Sequence, residues 1–252
     1  MRNEVMQSPS QASIHIRLLG DFSLAYSGEA ITALNTARLQ SLLGYLLFHR
    51  NAPQLRSHLA FTFWPDSTES QAYSNLRKVL HLLRQTLSEG ERFLRIDSKT
   101  VQWRPDAGLV LDVADFEALL RRADALKESD QLAIQVLLEE AAALYRGDLL
   151  PGCYDDWVLP ERERLRQQCI QVLTRLVWLF EDRRDYATAI RHANHLLRFD
   201  PLHEDTYRRL MRLHVLLGER AAALRTYHAC ATVLQRELGV EPGEELQTAY
   251  RR

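Results

Sequence analysis

The chain has 252 residues, of which 46% are hydrophobic and 26% are charged, and its formal net charge at pH 7 is -1. This composition is that of a folded globular protein, long enough for one large domain or two of ordinary size. No stretch approaches the ~20 apolar residues of a membrane-spanning helix, and residues 1–12 lack the apolar core of a signal peptide. These features exclude a membrane protein and a secreted one, and we expect the protein to be cytoplasmic.

Charge is distributed unevenly along the chain. Residues 1–111 carry twelve Lys and Arg against nine Asp and Glu, whereas residues 112–252 carry twenty against twenty-four. The positive excess is concentrated between Ser70 and Arg104, where seven basic residues stand against three acidic ones. A basic front followed by an acidic back indicates that only the first part of the chain faces a polyanion.

Secondary structure is predicted to begin after a disordered lead of residues 1–12. Apolar and polar residues alternate over Ile14–Leu18 and again over Phe22–Tyr26, which is the period of a half-buried strand. Gly20 and Gly28 lie in turn signals, and Ala30-Ile31 can form a short third strand. The front of the chain is therefore predicted to begin with a small antiparallel meander.

Three helices are predicted next, with a short turn before the third. Thr36 is the expected N-cap of the first helix, which runs to His49, and Ser57 that of a second helix, which Pro65 ends. The third helix is predicted over Thr68–Leu87. This order of elements is the one that a helix-turn-helix requires.

The helix predicted over Thr68–Leu87 has two contrasting faces. Its apolar residues recur at helical spacing and lie at Ala72, Leu76, Val79, Leu80, Leu83 and Leu87. Long hydrogen-bond donors fill the other face, with no carboxylate after Glu69. Such a helix can dock on its domain with one side and offer donors to the DNA major groove with the other. The alternative is that the charged face is simply solvated, and the local excess of positive charge favours DNA.

A hairpin is predicted behind this helix. Phe93–Ile96 is a candidate strand, residues 97–99 form the turn, and Val101–Trp103 form a second strand. A hairpin in this position is a wing, and its tip would place Lys99 and Thr100 near a phosphate backbone or a minor groove.

The remainder of the chain is predicted to be all helical. Helical spacing recurs over Asp112–Lys127, Asp130–Arg146 and Trp157–Arg183. Asp185–Ile190 then aligns with Glu219–Leu224 at an offset of 34 residues, the period of tetratricopeptide helix pairs, with alanines expected at close helix contacts. An ordinary helical bundle is the alternative interpretation.

No pattern in the sequence indicates catalysis or a metal. Cys153, Cys169 and Cys230 form no CxxC pair, so buried thiols in a reducing compartment are expected. His192 and His195 lie one turn apart, but no acid or cysteine stands beside them at metal-ligand spacing. Because glycine-rich phosphate loops, GxSxG and paired carboxylates are also missing, we expect no enzyme activity and no cofactor.

The order of several motifs resembles a known family. The front half contains LLGDFSL, ARLQSLLGYLLFHR, FWPD and SNLRKVLHLLRQTL, and the back half contains GDLLPG, DDWVLPERERL, LLRFDPLHEDTYRRLM and ELGVEPGEEL. Over Ile14–Gln247 this order is similar to that of the bacterial transcriptional activator domain proteins, which include the Streptomyces antibiotic regulatory protein family. The resemblance implies an α+β N-terminal winged helix-turn-helix over residues 13–108, followed by an all-α tetratricopeptide-like activator domain over residues 109–252.

The resemblance also implies a function and its partners. The implied function is that of a transcriptional activator, which binds double-stranded promoter DNA sequence-specifically, often as a homodimer on direct repeats. The activator then recruits RNA polymerase holoenzyme. The helical part would then hold the contacts with polymerase or a second protomer. A scaffold of tetratricopeptide repeats that never binds DNA is the competing hypothesis. Because the chain stops at Arg252 inside a predicted helix, it could be the front of a longer protein that receives a signal elsewhere.

Site residues follow from the family pattern and from side-chain chemistry. The residues expected at base edges are Ser74, Arg77, Lys78 and His81, and the residues expected at phosphates are Arg56, Arg84, Lys99, Thr100 and Arg104. Arg84 could instead form a salt bridge with an acid of its own domain, and Arg104 could be only solvated. Many family members have Gln and Ser where Arg77 and His81 stand, so their promoter sequences are not carried over to this chain.

Overall fold

The structure is a computed structural model that describes residues 13–87, 90–106 and 108–251. The lead predicted to be disordered, residues 1–12, lies outside the described residues. The chain divides into two compact units. The N-terminal unit comprises Met1–Asp115 and Arg146–Glu163, and the C-terminal unit comprises Phe116–Tyr145 and Arg164–Arg252.

The N-terminal unit contains two small sheets and a set of short helices. In chain order, its elements are β1 (Ile14–Arg17), β2 (Ser23–Tyr26), β3 (Glu29–Ala30), α1 (Ala37–Phe48), β4 (Gln54–Leu55), α2 (Arg56–Phe63), α3 (Glu69–Thr86), α4 (Gly90–Phe93), β5 (Leu94–Ile96), β6 (Thr100–Trp103) and β7 (Leu109–Leu111). One sheet has the order β3-β2-β1-β7 and the other β4-β6-β5. The predicted meander is confirmed, because β1, β2 and β3 pair antiparallel, with Ile14 opposite Tyr26.

Two predictions about helix starts had different outcomes. The side chain of Thr36 accepts a hydrogen bond from the Leu39 N–H at 3.4 Å and caps α1, as predicted. Ser57 was expected to cap the second helix, and this is wrong, because α2 starts at Arg56 after Leu55, which makes no side-chain cap. Since Leu55 is still paired with Thr100 of β6, the helix begins directly where strand pairing ends.

The N-terminal unit extends beyond the predicted boundary at residue 108. β7, which was not predicted from the sequence, pairs in parallel with β1. The Asp112 carboxylate accepts hydrogen bonds from the backbone N–H groups of Leu18 and Leu19 at 2.8–3.0 Å. Leu150 also donates its N–H to the Leu18 carbonyl at 2.9 Å. Hydrogen bonds from β7, from Asp112 and from Leu150 therefore complete this unit.

The C-terminal unit consists of helices in its described residues. The helices from Asp112 onward are α5 (Asp112–Ala125), α6 (Gln131–Leu144), α7 (Val158–Asp182), α8 (Tyr186–Phe199), α9 (Glu204–Leu216), α10 (Arg220–Leu238) and α11 (Glu244–Arg251). The bounds of α5, α6 and α7 agree with the three helices predicted from Asp112 to Arg183 to within a few residues, and α5 and α7 begin in the N-terminal unit. No helix in the described part of the chain is long and apolar enough to cross a membrane.

The two segments that align at an offset of 34 residues lie at the starts of α8 and α10. The N-caps of α8 and α10 are Asp185 and Glu219, which are separated by the predicted 34 residues. Ala189 and Ala223 are buried at equivalent positions, as expected for close helix contacts. Ala187 and Ala221 were predicted at the same kind of contact and are exposed, because they lie in the first turn on the outer side of each helix. The fold class is nevertheless the predicted one, a winged helix-turn-helix followed by an all-α helical unit.

Candidate nucleic-acid interface

The turn between α2 and α3 determines where α3 starts. Ser67 donates its backbone N–H to the Trp64 carbonyl at 3.2 Å, which closes the turn. Thr68 then caps α3, because its hydroxyl accepts a hydrogen bond from the Gln71 N–H at 3.4 Å. α3 packs on its own unit through Ala72, Leu76, Leu80 and Leu83, which are all buried. Its other face is directed away from the core.

That outer face carries the residues predicted to contact base edges. Arg77 and Lys78 follow Ser74 by three and four residues, and His81 follows them by four and three, so the four residues lie along one side of α3. Ser74 is half-buried, and the other three are exposed. Within the described residues, none of the four side chains has a hydrogen-bond or ion-pair partner. The arrangement presents free cationic and polar groups along one helix side.

Two residues predicted to contact phosphates, Arg56 and Thr100, have hydrogen-bond partners inside the wing. The Arg56 guanidinium donates a hydrogen bond to the Asp97 carbonyl at 3.0 Å, and its backbone N–H bonds the Lys99 carbonyl at 2.8 Å. The Thr100 hydroxyl donates to the Asp97 carboxylate at 2.8 Å. Arg56 and Thr100 therefore brace the tip of the wing in this structure.

Arg84 forms a salt bridge with an acid of its own unit, which was the alternative to a phosphate contact. Its guanidinium pairs with Glu91 at 2.5 Å, and the two side chains are 43% and 84% exposed. An ion pair this exposed contributes little to stability, about 0–1 kcal/mol. It nonetheless gives Arg84 a carboxylate that a DNA phosphate would have to displace.

Lys99 and Arg104 are exposed on the wing, and their side chains have no partner in the part of the chain that the structure describes. Arg95 is a further exposed cation on β5 that was assigned no role from the sequence. The alternation of Leu94, Arg95 and Ile96 could have identified it, because the buried position of Leu94 turns the next side chain outward. Leu82 of α3 was also missed, and it is exposed one turn after Lys78.

The wing tip is organised around Asp97. Its carboxylate accepts hydrogen bonds from the backbone N–H groups of Lys99 and Thr100 at 2.8 and 2.7 Å. These bonds, led by the one from Lys99, lower the pKa of Asp97 from 3.8 to about 2. An ionised Asp97 thus fixes the turn that carries the Lys99 side chain.

A second group of contacts supports the turn before α3. The Arg38 guanidinium lies over the rings of Phe63 and Trp64, at 5.7 and 5.5 Å from their centroids. The same group donates a hydrogen bond to the Asp155 carboxylate at 2.8 Å. Asp155 also accepts a hydrogen bond from the buried Ser41 hydroxyl at 2.5 Å. No local pattern in the sequence indicates these contacts.

Comparisons with known proteins agree with this architecture. Transcriptional regulatory protein MoaR1 of Mycobacterium tuberculosis is 24% identical over 265 residues, covering 99% of this chain and 82% of MoaR1. Regulatory protein AfsR of Streptomyces griseus is 25% identical over 232 residues, covering 90% of this chain but only 23% of AfsR.

A solved structure has the same fold. The chain superposes on Mycobacterium tuberculosis EmbR, solved in complex with a low affinity phosphopeptide, with a TM-score of 0.70 and 21% identity. The match covers 96% of this chain and 65% of the EmbR chain. The family model of the bacterial transcriptional activator domain matches residues 111–252, more than half of the chain. The chain therefore belongs to the bacterial transcriptional activator domain family, as its sequence motifs indicated.

Proposed function

We propose that the chain is a sequence-specific DNA-binding regulator of transcription that inserts α3 into the major groove of promoter DNA. The observation that carries the proposal is the exposure of Arg77, Lys78 and His81 on one side of α3 without competing side-chain partners among the described residues. The names of MoaR1 and AfsR, both regulatory proteins, support a role in transcription.

The proposed contacts divide into two kinds. Arg77 and Lys78 would bind guanine O6 and N7, and Ser74 and His81 would contact neighbouring base edges. Exposed Leu82 offers an apolar contact to a thymine methyl group.

Phosphate contacts would come mainly from the wing. Lys99, Arg95 and Arg104 are the exposed cations there and would fix the register of the protein on the duplex. Arg84 would contribute after leaving Glu91, whereas Arg56 and Thr100 would act by holding the wing tip.

The helical region over residues 109–252 would bind protein partners and activate transcription through RNA polymerase holoenzyme. Stacked helical hairpins present extended surfaces suited to a protein partner or to a second protomer. Residues 109–115 and 146–163 would additionally stabilise the DNA-binding unit, because the structure includes them in it.

A salt-dependent titration tests the proposal. The chain is added to a fluorescent duplex of mixed genomic sequence, and anisotropy is measured at several salt concentrations. Micromolar binding that weakens with salt, by about 10²-fold between 50 and 200 mM as expected for four phosphate contacts, supports a DNA-binding regulator.

The same titration examines the competing scaffold hypothesis. An Arg77→Glu/Lys78→Glu double variant should lose this binding, while Arg225→Glu, an exposed arginine of α10, should keep it. No binding of the unmodified chain at low salt would support the scaffold that does not bind DNA.

A further inference from the structure

A groove in the C-terminal unit contains none of the residues to which the proposed function assigns a DNA contact. It has a volume of about 820 Å³ and is lined by residues of α9, α10 and α11. Four arginines line it, namely Arg208, Arg209, Arg212 and Arg220. We refer to it as the arginine groove.

The arginine groove also has an apolar side. Val215, Leu216, Leu224 and Tyr250 line it, and each remains exposed, from 59% for Val215 to 36% for Tyr250. Leu217, directly after the lining residues of α9, is exposed as well. Large apolar side chains gathered at one place on a surface mark a binding site. Val215, Leu216 and Leu217 are consecutive and all exposed, so apolar side chains cover more than one side of the end of α9, which favours a macromolecular ligand.

The charge of the groove is opposite to that of the surrounding region. Its lining contains four arginines and two glutamates, Glu244 and Glu245, whereas residues 112–252 as a whole carry an acidic excess. Ion pairs with Asp205 and Glu181 offset part of this charge, so the positive charge open to an anionic partner lies mainly at Arg220.

The four arginines differ in whether they form ion pairs. Arg208 pairs with Asp205 and, at 3.6 Å, with Glu245, whereas Arg209 and Arg212 both pair with Glu181. Arg220 is exposed at the start of α10 and has no hydrogen-bond or ion-pair partner within residues 108–251. Arg220 is therefore the arginine most available to a ligand.

We propose that the arginine groove binds an acidic amphipathic segment of a partner protein. Apolar side chains of the segment would pack on Val215, Leu216 and Leu224, and its carboxylates would pair with Arg220 and Arg212. Arginine is well suited to this role, because its planar guanidinium binds a carboxylate through two parallel hydrogen bonds. The proposal rests on the partner-binding role proposed above for residues 109–252 and does not depend on DNA binding.

Peptide titration of the full chain tests this inference. The probe is a fluorescent synthetic peptide with leucines at helical spacing and glutamates at the remaining positions. Two control peptides replace its glutamates by lysines or its leucines by serines. We expect saturable binding of the acidic peptide that weakens with salt, and no saturable binding of either control.

Two matched pairs of variants locate the binding. Arg220→Glu should raise the dissociation constant about tenfold or more, whereas Arg225→Glu on the same helix should change it less than about twofold. Leu224→Ser should weaken binding in the same way, and exposed Leu238→Ser should not. Circular dichroism and thermal melting verify that each variant is folded.

Several outcomes would overturn the inference. These are no saturable binding, equal binding of the lysine peptide, or equal effects of Arg220→Glu and Arg225→Glu. Light scattering examines the remaining possibility, a second copy of this chain in the groove. A dimer that Arg220→Glu dissociates and the acidic peptide does not disrupt would assign the groove to self-association instead.

Discussion

The Asp155 carboxylate accepts a hydrogen bond from the Arg38 guanidinium at 2.8 Å, although 117 residues separate the two in sequence. Arg38 in turn lies over Phe63 and Trp64, at the end of α2 and the start of the turn into α3. Asp155 belongs to the region that the family model matches. A loop of that region therefore stabilises the turn that positions the proposed recognition helix.

Removing the Asp155 carboxylate should destabilise the N-terminal unit. In Asp155→Ala the buried Ser41 hydroxyl and the Arg38 guanidinium both lose their acceptor, at a cost of about 1–3 kcal/mol. Asp155→Asn should cost less, since an amide oxygen can still accept from Ser41. The free energy of unfolding is measured by urea denaturation with tryptophan fluorescence, which reports on Trp64, Trp103 and Trp157 of this unit.

Asp156→Ala provides the matched control, because Asp156 is the exposed neighbour of Asp155 and has no partner among the described residues. We expect its free energy of unfolding to change by no more than about 0.5 kcal/mol. Equal stabilities of the Asp155→Ala and Asp156→Ala variants would show that the contact with Arg38 contributes nothing.

The wing cations should affect DNA binding without affecting sequence preference. Lys99→Ala and Arg104→Ala should each weaken binding to all duplexes alike and lower the salt slope by about 1, as expected for the loss of one phosphate contact. Arg84→Ala should lower the salt slope less, because Arg84 is paired with Glu91. Affinities measured by anisotropy at several salt concentrations give these slopes. A larger effect of Arg84→Ala than of Lys99→Ala would reverse this assignment.

Asp97 should hold the wing tip in its ionised form. Its folded-state pKa of about 2 lies below the ordinary value of 3.8, so the stability it contributes is present above pH 3.8 and lost as pH falls through about 2. The carboxyl carbon of Asp97 should therefore titrate with a midpoint near 2 by nuclear magnetic resonance.

The corresponding substitution can be examined at neutral pH. Asp97→Ala removes the acceptor for the Lys99 and Thr100 amides, so their hydrogen exchange should accelerate and DNA affinity should decrease modestly. Ser98→Ala, in the same exposed turn, serves as the control. Unchanged protection of both amides in Asp97→Ala would mean that the turn does not depend on this carboxylate.

The sequence predicted those parts of the fold that depend on local patterns. The spacing of Ala72, Leu76, Leu80 and Leu83 identified the buried face of α3, and Thr68 identified its start. A periodic pattern shows which face is buried but does not show what covers it. For this reason β7 was missed, since a three-residue strand becomes recognisable only through its pairing with β1, far earlier in the chain.

The candidate site was predictable to a similar extent. Exposure of Arg77, Lys78 and His81 followed from the helical face, whereas the partners of Arg56, Arg84 and Thr100 depend on tertiary contacts. Asp97 and Glu91 were visible as acids in the sequence, but nothing local indicated which donors they would bind. Residue type thus identified the candidates, and only the fold distinguished free side chains from occupied ones.

The most direct test of the proposed function is the ratio of affinities for a selected duplex and a scrambled duplex of equal length. Selection from a random pool supplies the specific sequence, and anisotropy titrations at fixed salt give both affinities. For Arg77→Ala we predict that this discrimination falls by about 1–3 kcal/mol while affinity for the scrambled duplex largely persists. Equal loss on both duplexes, or an unchanged ratio, would contradict base recognition by α3.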